Sequence, residues 1–563
     1  MVSREKKRLP LLLLITTGIV AIVLLVRIFW LIMVPSTPSV TYQNPQVATR
    51  VIRGTLLDSK KKVLAIETPY YSCAMLVREV EDVSETASIL ASILSLSPQT
   101  IMQNASKRSI YYQVKRRLSD EEYQIIYSLL QEGKLKGVML EKQYGRTYPH
   151  HYHGAQVIGF TNTENVGIEG IELAYDRLLS PYPTLGTNLT YGHDIHLTLD
   201  MDLQYLLDAQ AVSIDSLHHP DSIMGIIMDA KTGAILAASS FPWYNPNNYQ
   251  TSEPFQRQNK VITAMFEPGS VFKIFSLASE LAADQANFSE PFYCDGSYTF
   301  IMENGSPTTI NCVTAHGTIA PQSMLKYSCN GAVAHWALQT DDALFRDTLL
   351  KLGFNSNWKT GMLGGISGNL RETSSWSGRT KATMAFGQEL GVTALQLVTA
   401  ATAIANNGNV MQPYIIDTIV DATGAVVHKT SPSVAQGSVL SPAVAHTVLS
   451  GMEQAVEAGG TATRTAVPGV RVAAKTGTAQ IADPETGAYK TATFLASTLA
   501  IVPVDDPAYI LYIGVSNPTG ATIWGSNIAA PAIGSIIADM VRQGKLISDK
   551  MEYITLPSQS GPN

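Results

Sequence analysis

The chain has 563 residues, 45% of them hydrophobic, so it is long enough to form several domains with buried cores. Its 40 basic and 46 acidic side chains give a net charge of −6, which argues against a nucleic-acid-binding protein because such proteins carry a basic surface. The mean hydropathy of +0.07 is high for a soluble protein, and one segment near the N-terminus explains part of it.

That segment, residues 9–34, is apolar and carries one charge, Arg27. A helix of this length covers a hydrocarbon core of roughly 30 Å. Basic residues in 1–8 outnumber the single Glu5, so we expect residues 1–8 to form a cytoplasmic tail. No small-residue cleavage site follows, which favours an uncleaved transmembrane signal-anchor in the lipid bilayer over a cleaved signal peptide. Arg27 either snorkels to the outer interface or contacts a partner helix.

Residues 35–46 are rich in Pro, Ser and Thr and predict a linker. Residues 47–190 then mix short strand patterns with helical ones, which predicts a non-catalytic α+β domain. We expect its charged Arg53, Arg146, Glu169 and Glu172 to be paired and to tie this domain to the next. The run His150-His151-Tyr152-His153 is interpreted as a solvated turn, because no cysteine or acid nearby completes a metal-ligand pattern.

Residues 191–545 predict a second, larger domain. The apolar stretch 222–240 is typical of paired strands with a turn at Asp229 to Gly233, and residues 393–405 predict a buried helix. Residues 546–563 are polar and predict a disordered C-terminal tail.

Within the larger domain, Ser270 directly follows Glu267-Pro268-Gly269 and opens a helix predicted over 271–283. Lys273 lies one helical turn further on, on the same face. A serine at a helix start, next to a lysine that burial keeps neutral, is the arrangement of an activated nucleophile.

Two further elements follow in order, Ser328-Cys329-Asn330 and Lys475-Thr476-Gly477-Thr478. The second lies in an apolar segment, 470–481, that is typical of an active-site edge strand. Other stretches match one of the three patterns but have the wrong order or context: Ser3 to Lys6, Ser59 to Lys62, Lys231-Thr232-Gly233, Ser323 to Lys326 and Ser367-Gly368-Asn369.

The ordered set S-x-x-K, S-x-N and K-T-G is the signature of penicillin-binding proteins and class A β-lactamases. The chain resembles a class B penicillin-binding protein, and most of all the division-specific branch. Further segments carry the resemblance: Arg53-Gly54 with Asp58, 146–149, 167–172, 197–200 with Gln204, 386–388, 393–396, and Gly525 with 529–531. The resemblance implies an α/β protein in which a membrane anchor and a mixed α+β pedestal, residues 47–190, precede a transpeptidase domain, residues 191–545, with an antiparallel sheet flanked by helices.

The resemblance also implies a serine D,D-transpeptidase that crosslinks peptidoglycan stem peptides through an acyl-enzyme at Ser270. Lys273 would be the base, Ser328 would relay a proton to the leaving amine, and Asn330 would bind the substrate amide. Lys475, Thr476, Gly477 and Thr478 would bind the substrate carboxylate, and the backbone N–H groups of Ser270 and Thr478 would form the oxyanion hole. It implies no cofactor and no metal.

The implied partners are D-Ala-D-Ala stem peptides, β-lactam antibiotics, a polytopic glycan polymerase and divisome proteins. Elongation or sporulation is the alternative to a role in septal wall synthesis. A β-lactam hydrolase or sensor is less favoured, since neither a deacylating base nor a signalling domain is visible. A pure scaffold for the polymerase is less favoured because all three motifs are intact. Two departures from the family pattern, Ala474 and the turn Ser59-Lys60-Lys61-Lys62, do not involve a reacting atom.

Four cysteines are present, Cys73, Cys294, Cys312 and Cys329. Cys294 and Cys312 flank a predicted hairpin over 295–311 whose arms would bring them together, so we predict a disulfide between them that contributes roughly 3 kcal/mol. A Cys312–Cys329 bridge and four free thiols remain the alternatives.

Overall fold

The computed structural model of the chain describes residue 18 and residues 21–24, 50–108, 110–183, 187–482 and 488–547. The predicted tail 1–8, the linker and most of the segment 546–563 lie outside these residues. Of the predicted anchor only Gly18 and residues 21–24 are described, and they are helical and exposed. In the described part of the chain, no helix is both long and apolar enough to span a membrane.

The backbone divides into two compact units, residues 1–50 with 183–190 and residues 51–182 with 191–563. The second unit contains nearly all of the described pedestal and the described residues from 191 onward, termed the catalytic region.

The described pedestal is a mixed α+β structure, as the sequence predicts. Its strands are Arg50–Ile52, Leu56–Leu57, Val63–Leu76, Tyr111–Lys115, Val138–Thr147, Phe160–Thr161, Gly167–Glu169 and Leu189–Tyr191. Its helices are Val83–Leu94, Pro98–Ser106, Asp120–Gln131, Ala155–Ile158, Gly170–Ala174 and Asp176–Leu179. Local sequence sets the helix starts: Ser119 and Glu122 form a reciprocal capping box ahead of helix Asp120–Gln131. Leu90, Leu94, Ile101 and Ile126 pack its separate core.

Three buried charges of the pedestal, Arg53, Arg146 and Glu172, pair with one another. The Glu172 carboxylate accepts from Arg53 Nε at 2.7 Å and from Arg146 Nε at 2.6 Å, and all three side chains are at most 1% exposed. Arg53 also pairs with Asp176 at 2.7 Å. The predicted pairing of these charges is confirmed, but this network ties pedestal segments to one another. Of the four residues predicted to tie the two domains together, Glu169 alone forms such a pair, 3.0 Å from Arg257 Nε.

The pedestal and the catalytic region share one sheet. Its strands lie in the order Val426–Lys429, Ile416–Val420, Asp194–Leu197, Leu56–Leu57, Val63–Leu76 and Tyr111–Lys115, with Val138–Thr147 also paired to Val63–Leu76. The join is a parallel pairing in which Leu56 lies opposite Ile195. Continuous backbone hydrogen bonding therefore crosses the boundary expected near residue 190.

The catalytic region contains many short elements around one large sheet. Its strands are Asp194–Leu197, Ser222–Asp229, Ile235–Phe241, Phe292–Cys294, Ser297–Ile301, Pro307–Asn311, Gly317–Ile319, Val410–Met411, Ile416–Val420, Val426–Lys429, Val434–Gln436, Ala473–Ala482, Tyr489–Val502 and Tyr509–Ser516. Its α-helices are Met201–His218, Pro254–Arg257, Lys260–Thr263, Lys273–Ala283, Pro321–Tyr327, Asn330–Gln339, Asp342–Lys351, Thr380–Ala385, Ala394–Ala405, Pro442–Gln454 and Ala529–Arg542. Short 3₁₀ turns are Pro246–Thr251, Gly269–Phe272, Thr373–Ser375 and Thr463–Thr465.

The large sheet has five antiparallel strands in the order Ile235–Phe241, Ser222–Asp229, Tyr509–Ser516, Tyr489–Val502 and Ala473–Ala482. Both faces of the sheet are covered, so strand Tyr509–Ser516 is buried at each position from Ile510 to Val515. In strand Tyr509–Ser516, Ile510 and Tyr512 join the core that contains helices Lys273–Ala283 and Ala394–Ala405. Leu511 and Ile513 join the core that contains helices Met201–His218 and Ala529–Arg542. The predicted antiparallel sheet flanked by helices is thus the fold observed.

Candidate active site

Close backbone packing holds the turn that presents Ser270. Gly269 has φ 53°, a left-handed conformation that favours glycine, and a Cβ there would lie 3.0 Å from the Cβ of Ala479. Its N–H donates to the carbonyl of Gly387 at 3.0 Å. A Cβ on Gly387 would come within 2.1 Å of the Gly269 carbonyl oxygen, which explains the glycine in Phe386-Gly387-Gln388. The 3₁₀ turn Gly269–Phe272 then continues into helix Lys273–Ala283, so Ser270 does lie at the helix start.

Lys273 is the first residue of that helix and is fully buried. Its Nζ donates to three oxygens: the Ser328 carbonyl at 2.5 Å, Ser328 Oγ at 3.1 Å and Asn330 Oδ1 at 2.6 Å. Burial lowers the pKa of Lys273 to about 8, against a smaller opposing effect of Cys329 and Cys312. About a tenth of the amine is therefore neutral at pH 7, and this is the form that acts as a general base.

Ser328 and Asn330 belong to two successive helices. Ser328 ends helix Pro321–Tyr327 in a left-handed conformation, φ 58°, and Asn330 begins the helix to Gln339. This sharp turn aims the Ser328 hydroxyl at both lysines, 3.1 Å from Lys273 Nζ and 2.9 Å from Lys475 Nζ. The Asn330 amide is held at both ends, because its Nδ2 donates to the Asn311 carbonyl at 2.8 Å.

Lys475 to Thr478 lie on Ala473–Ala482, the predicted edge strand of the five-stranded sheet. A Cβ on Gly477 would lie 3.0 Å from Val271 Cγ2 and 3.1 Å from the Pro268 carbonyl oxygen, so glycine lets this strand pass close to the Ser270 turn. Lys475 is fully buried, and burial followed by the charge of Lys273 lowers its pKa well below the usual value. Because the two lysines share one hydroxyl acceptor, protonating both at once is electrostatically unfavourable.

These segments meet at one cavity of about 420 Å³. Ser270, Ser328, Asn330, Thr476, Gly477 and Thr478 line it, with Lys273 and Lys475 buried beneath. The structure therefore brings together all the predicted site residues, which are spread over three distant stretches of the chain. The wall also includes residues that were not predicted from the sequence: Val313, Thr314, His316, Tyr327, Gly459, Thr461, Trp524 and Ser526. Trp524 and Ser526 flank Gly525, which carries part of the family resemblance, so these two had a signal in the sequence.

The catalytic region matches a known family. Residues 223–538 match the penicillin-binding protein transpeptidase domain. The chain belongs to the penicillin-binding protein family. Residues 48–183 match the penicillin-binding protein dimerisation domain, and this order of domains confirms the resemblance to class B members.

Two curated relatives align with nearly the whole chain. Stage V sporulation protein D of Bacillus subtilis is 28% identical over 514 residues, covering 86% of this chain and 77% of that protein. Peptidoglycan D,D-transpeptidase FtsI of Escherichia coli is 26% identical over 534 residues, covering 90% of this chain and 86% of the relative. Among solved structures, penicillin-binding protein 3 of Mycobacterium tuberculosis complexed with aztreonam has a TM-score of 0.70 at 22% identity over 89% of this chain and 98% of the other, which shows a shared fold.

The other matches to the family motifs lie in unrelated local structures. Lys231-Thr232-Gly233 forms the turn between strands Ser222–Asp229 and Ile235–Phe241, where Asp229 Oδ1 accepts from the backbone N–H groups of Lys231 and Thr232. Ser59 to Lys62 form a turn around Asp58, whose Oδ1 accepts from the N–H groups of Lys60 and Lys62. Neither stretch lines the active-site cavity.

The predicted disulfide in this penicillin-binding protein is not formed in the structure, where all four cysteines are free. The predicted hairpin is confirmed as Ser297–Ile301 paired with Pro307–Asn311, and it does bring Cys294 Sγ within 3.7 Å of Cys312 Sγ. That separation far exceeds an S–S bond of about 2.05 Å. Cys312 Sγ also lies 3.8 Å from Cys329 Sγ, so it stands between two thiols and is paired with neither.

Proposed function

We propose that the chain is a serine D,D-transpeptidase that crosslinks peptidoglycan stem peptides. The observation that carries this proposal is the convergence of Ser270, Lys273, Ser328 and Lys475 on one cavity. A nucleophile at a helix start, a desolvated amine and a second buried amine linked through a hydroxyl are the parts that acyl transfer needs. The named activity of the Escherichia coli relative, peptidoglycan D,D-transpeptidase, supports the same reaction.

Acylation begins when neutral Lys273 takes the Ser270 proton and Ser270 Oγ attacks the penultimate carbonyl of a D-Ala-D-Ala terminus. The oxyanion that forms accepts from the backbone N–H groups of Ser270 and Thr478. An ideal Cβ built on Gly269 would lie 3.3 Å from the Thr478 carbonyl oxygen. The edge strand therefore runs directly beside the Ser270 turn, which supports an oxyanion hole formed by Ser270 and Thr478.

The leaving D-alanine needs a proton on its amine. Ser328 Oγ accepts from Lys273 Nζ at 3.1 Å, so Ser328 relays to the leaving amine the proton that Lys273 took from Ser270. Lys475 Nζ, 2.9 Å from the same oxygen, holds the hydroxyl in place. An acceptor amine from a neighbouring stem peptide then attacks the ester, releases Ser270 and completes the crosslink.

Substrate recognition uses the edge strand. Lys475 gains a proton when a carboxylate binds, because an anion offsets the cost of burying its charge. Thr476 and Thr478 line the cavity and donate hydrogen bonds to that carboxylate, and Asn330 contacts the substrate amide. β-Lactams enter the same site as acylating analogues of the D-Ala-D-Ala terminus. No cofactor takes part in this chemistry.

The setting of the reaction is also a proposal. Residues 9–34 anchor the chain in the bacterial cytoplasmic membrane, with residues 1–8 inside and the catalytic region in the periplasmic or equivalent extracytoplasmic space. We place the enzyme in septal wall synthesis, together with a polytopic glycan polymerase and divisome proteins. Sporulation is the second candidate, because the Bacillus subtilis relative is named for it.

Labelled penicillin tests the proposal. The full-length protein should form a covalent adduct that peptide mapping places on Ser270, and Ser270→Ala should abolish it. Ser59→Ala is the matched control, since Ser59 also stands three residues before a lysine but lies in a turn away from the cavity. An adduct on any other serine would refute the assignment.

A further inference from the structure

Three sulfurs and one imidazole cluster beside the active-site cavity. The ligand atoms of Cys294, Cys312, His316 and Cys329 all lie within 4.8 Å of one another. The shortest separations are 3.7 Å between the sulfurs of Cys294 and Cys312, 3.8 Å between those of Cys312 and Cys329, and 3.4 Å from Cys294 Sγ to His316 Nδ1. No metal site is expected from the sequence, in which the histidines at 150–153 are interpreted as a solvated turn. Two of those instead contact Tyr205 and Asp208.

The three shortest distances match edges of a coordination tetrahedron, and the other three are each at most 4.8 Å. With Zn–S bonds of about 2.3 Å, two sulfurs on one tetrahedral ion lie about 3.8 Å apart. With a Zn–N bond of about 2.05 Å, a sulfur and a nitrogen lie about 3.6 Å apart. A disulfide would use two of the sulfurs and would leave the third sulfur and the imidazole without a role.

Backbone structure pre-forms the cluster. Strand Phe292–Cys294 pairs with Gly317–Ile319, and the His316 N–H donates to the Cys294 carbonyl at 3.1 Å. The hairpin formed by Ser297–Ile301 and Pro307–Asn311 brings Cys312 next to Cys294. The Cys312 N–H donates to the Gly296 carbonyl at 2.9 Å. Four ligands from three segments are therefore in place without rearrangement of the main chain.

Backbone N–H groups also point at two of the sulfurs. The Gly331 N–H donates to Cys312 Sγ and the Ala332 N–H donates to Cys329 Sγ, each at 3.4 Å. Such outer-shell donors support thiolate ligands around a metal. Cys294 and Cys329 are buried, while Cys312 and His316 are partly exposed, so an ion could enter from the cavity side.

We propose that Cys294, Cys312, His316 and Cys329 form a zinc site. Three thiolates and an imidazole are a ligand set typical of structural zinc, and four protein ligands leave no open position for substrate or water. The ion is therefore structural and takes no part in acyl transfer.

The site fixes one wall of the cavity. Cys329 stands between Ser328 and Asn330, while His316 lines the cavity itself. A zinc ion on both would clamp residues 292–319 to the turn that carries Ser328. The hydrogen bond from Asn330 Nδ2 to the Asn311 carbonyl lies at the same junction. Metal binding at such a junction adds to folding free energy.

Metal analysis of full-length protein, purified without chelators or added zinc, tests the proposal. We expect about one zinc ion per chain in the wild type, and a loss of about ten-fold or more in Cys294→Ser and His316→Ala. Cys73→Ala is the matched control and should keep its zinc, because Cys73 is a buried thiol of the pedestal core. A wild-type chain that stays metal-free after incubation with zinc would overturn the proposal.

Cobalt(II) replacement in the wild type gives a readout that does not depend on how the variants fold. Tetrahedral thiolate coordination should produce intense visible and charge-transfer absorption, and excess zinc should abolish it. Thiol titration of denatured protein, without reductant and with the metal removed, should find four thiols. Recovery of a Cys294–Cys312 or Cys312–Cys329 disulfide in metal-free protein from its native compartment would refute the zinc site.

Discussion

Ionisable side chains are buried both in the pedestal and in the active site, but their partners differ. In the pedestal, Glu172 lies between Arg53 and Arg146 at 2.7 and 2.6 Å, so the buried charges are opposite in sign. In the active site, Lys273 and Lys475 are fully buried around one neutral hydroxyl, and their described hydrogen-bond partners are uncharged oxygens. Pairing keeps a group ionised, whereas desolvation beside a like charge makes it give up its proton. The first arrangement stabilises a fold, and the second prepares a base.

The largest effect should follow from removing the central acid of the pedestal network. Glu172→Ala leaves two buried guanidinium groups without their shared partner and should lower the free energy of unfolding by about 3 to 5 kcal/mol. Glu169→Ala is the matched control from the same motif, because its pair with Arg257 is partly exposed and should contribute about 1 kcal/mol or less. Denaturant unfolding of both variants measures the difference. Equal losses in the free energy of unfolding would show that the buried acid contributes no more to stability than the partly exposed one.

Lys273→Ala should lower the rate of penicillin acylation by about 10²- to 10⁴-fold while the protein stays folded, because general-base help is lost. In the wild type, the rate should rise with pH and reach half its maximum near the Lys273 pKa of about 8, since only the neutral amine accepts the Ser270 proton. Stopped-flow labelling across pH 6 to 10 checks both statements. A near-native rate for the alanine variant would mean that the proton leaves by another route.

Lys475→Ala should affect recognition more than chemistry. Loss of a charge-assisted hydrogen bond should reduce kcat/KM for carboxylate-bearing substrates by about 10- to 100-fold. A thioester analogue that lacks the carboxylate should be acylated at nearly the wild-type rate. Steady-state kinetics with both substrates makes the comparison. A similar loss on both would assign Lys475 to proton transfer instead.

The smallest effect concerns a buried carboxyl group that has neither an ion-pair partner nor a catalytic role. Glu280 lies on the Lys273 helix, and its carboxyl oxygens have no hydrogen-bond partner among the described residues. Burial raises its pKa well above the usual value, so it is protonated in the folded chain and destabilises the fold increasingly as pH rises above its ordinary pKa. Glu280→Gln should therefore melt at a higher temperature than the wild type at pH 8, and the difference should shrink as the pH falls toward 4. A lower melting temperature at pH 8 would point to a partner for the ionised carboxylate.

The sequence by itself identified much of this molecule. The ordered motifs at Ser270, Ser328 and Lys475, with the glycine and proline before Ser270, predicted the nucleophile turn and the edge strand. Local sequence signals were enough to predict these two elements, because helix starts, turns and strands are each determined by a few neighbouring residues. The family resemblance followed from the same residues, and the domain matches confirm it.

Tertiary structure decided what depends on distant segments meeting. Only the fold shows that Ser328 lies between two lysines, that Glu172 pairs with arginines of the pedestal itself, and that one sheet crosses the expected domain boundary. The cysteines show the limit most clearly. A hairpin pattern predicts that Cys294 and Cys312 approach, but it cannot show that the helix start at Cys329 and the loop at His316 arrive at the same point. Pairing a few residues along the chain is a local property, whereas gathering four ligands from three segments is a property of the packed core.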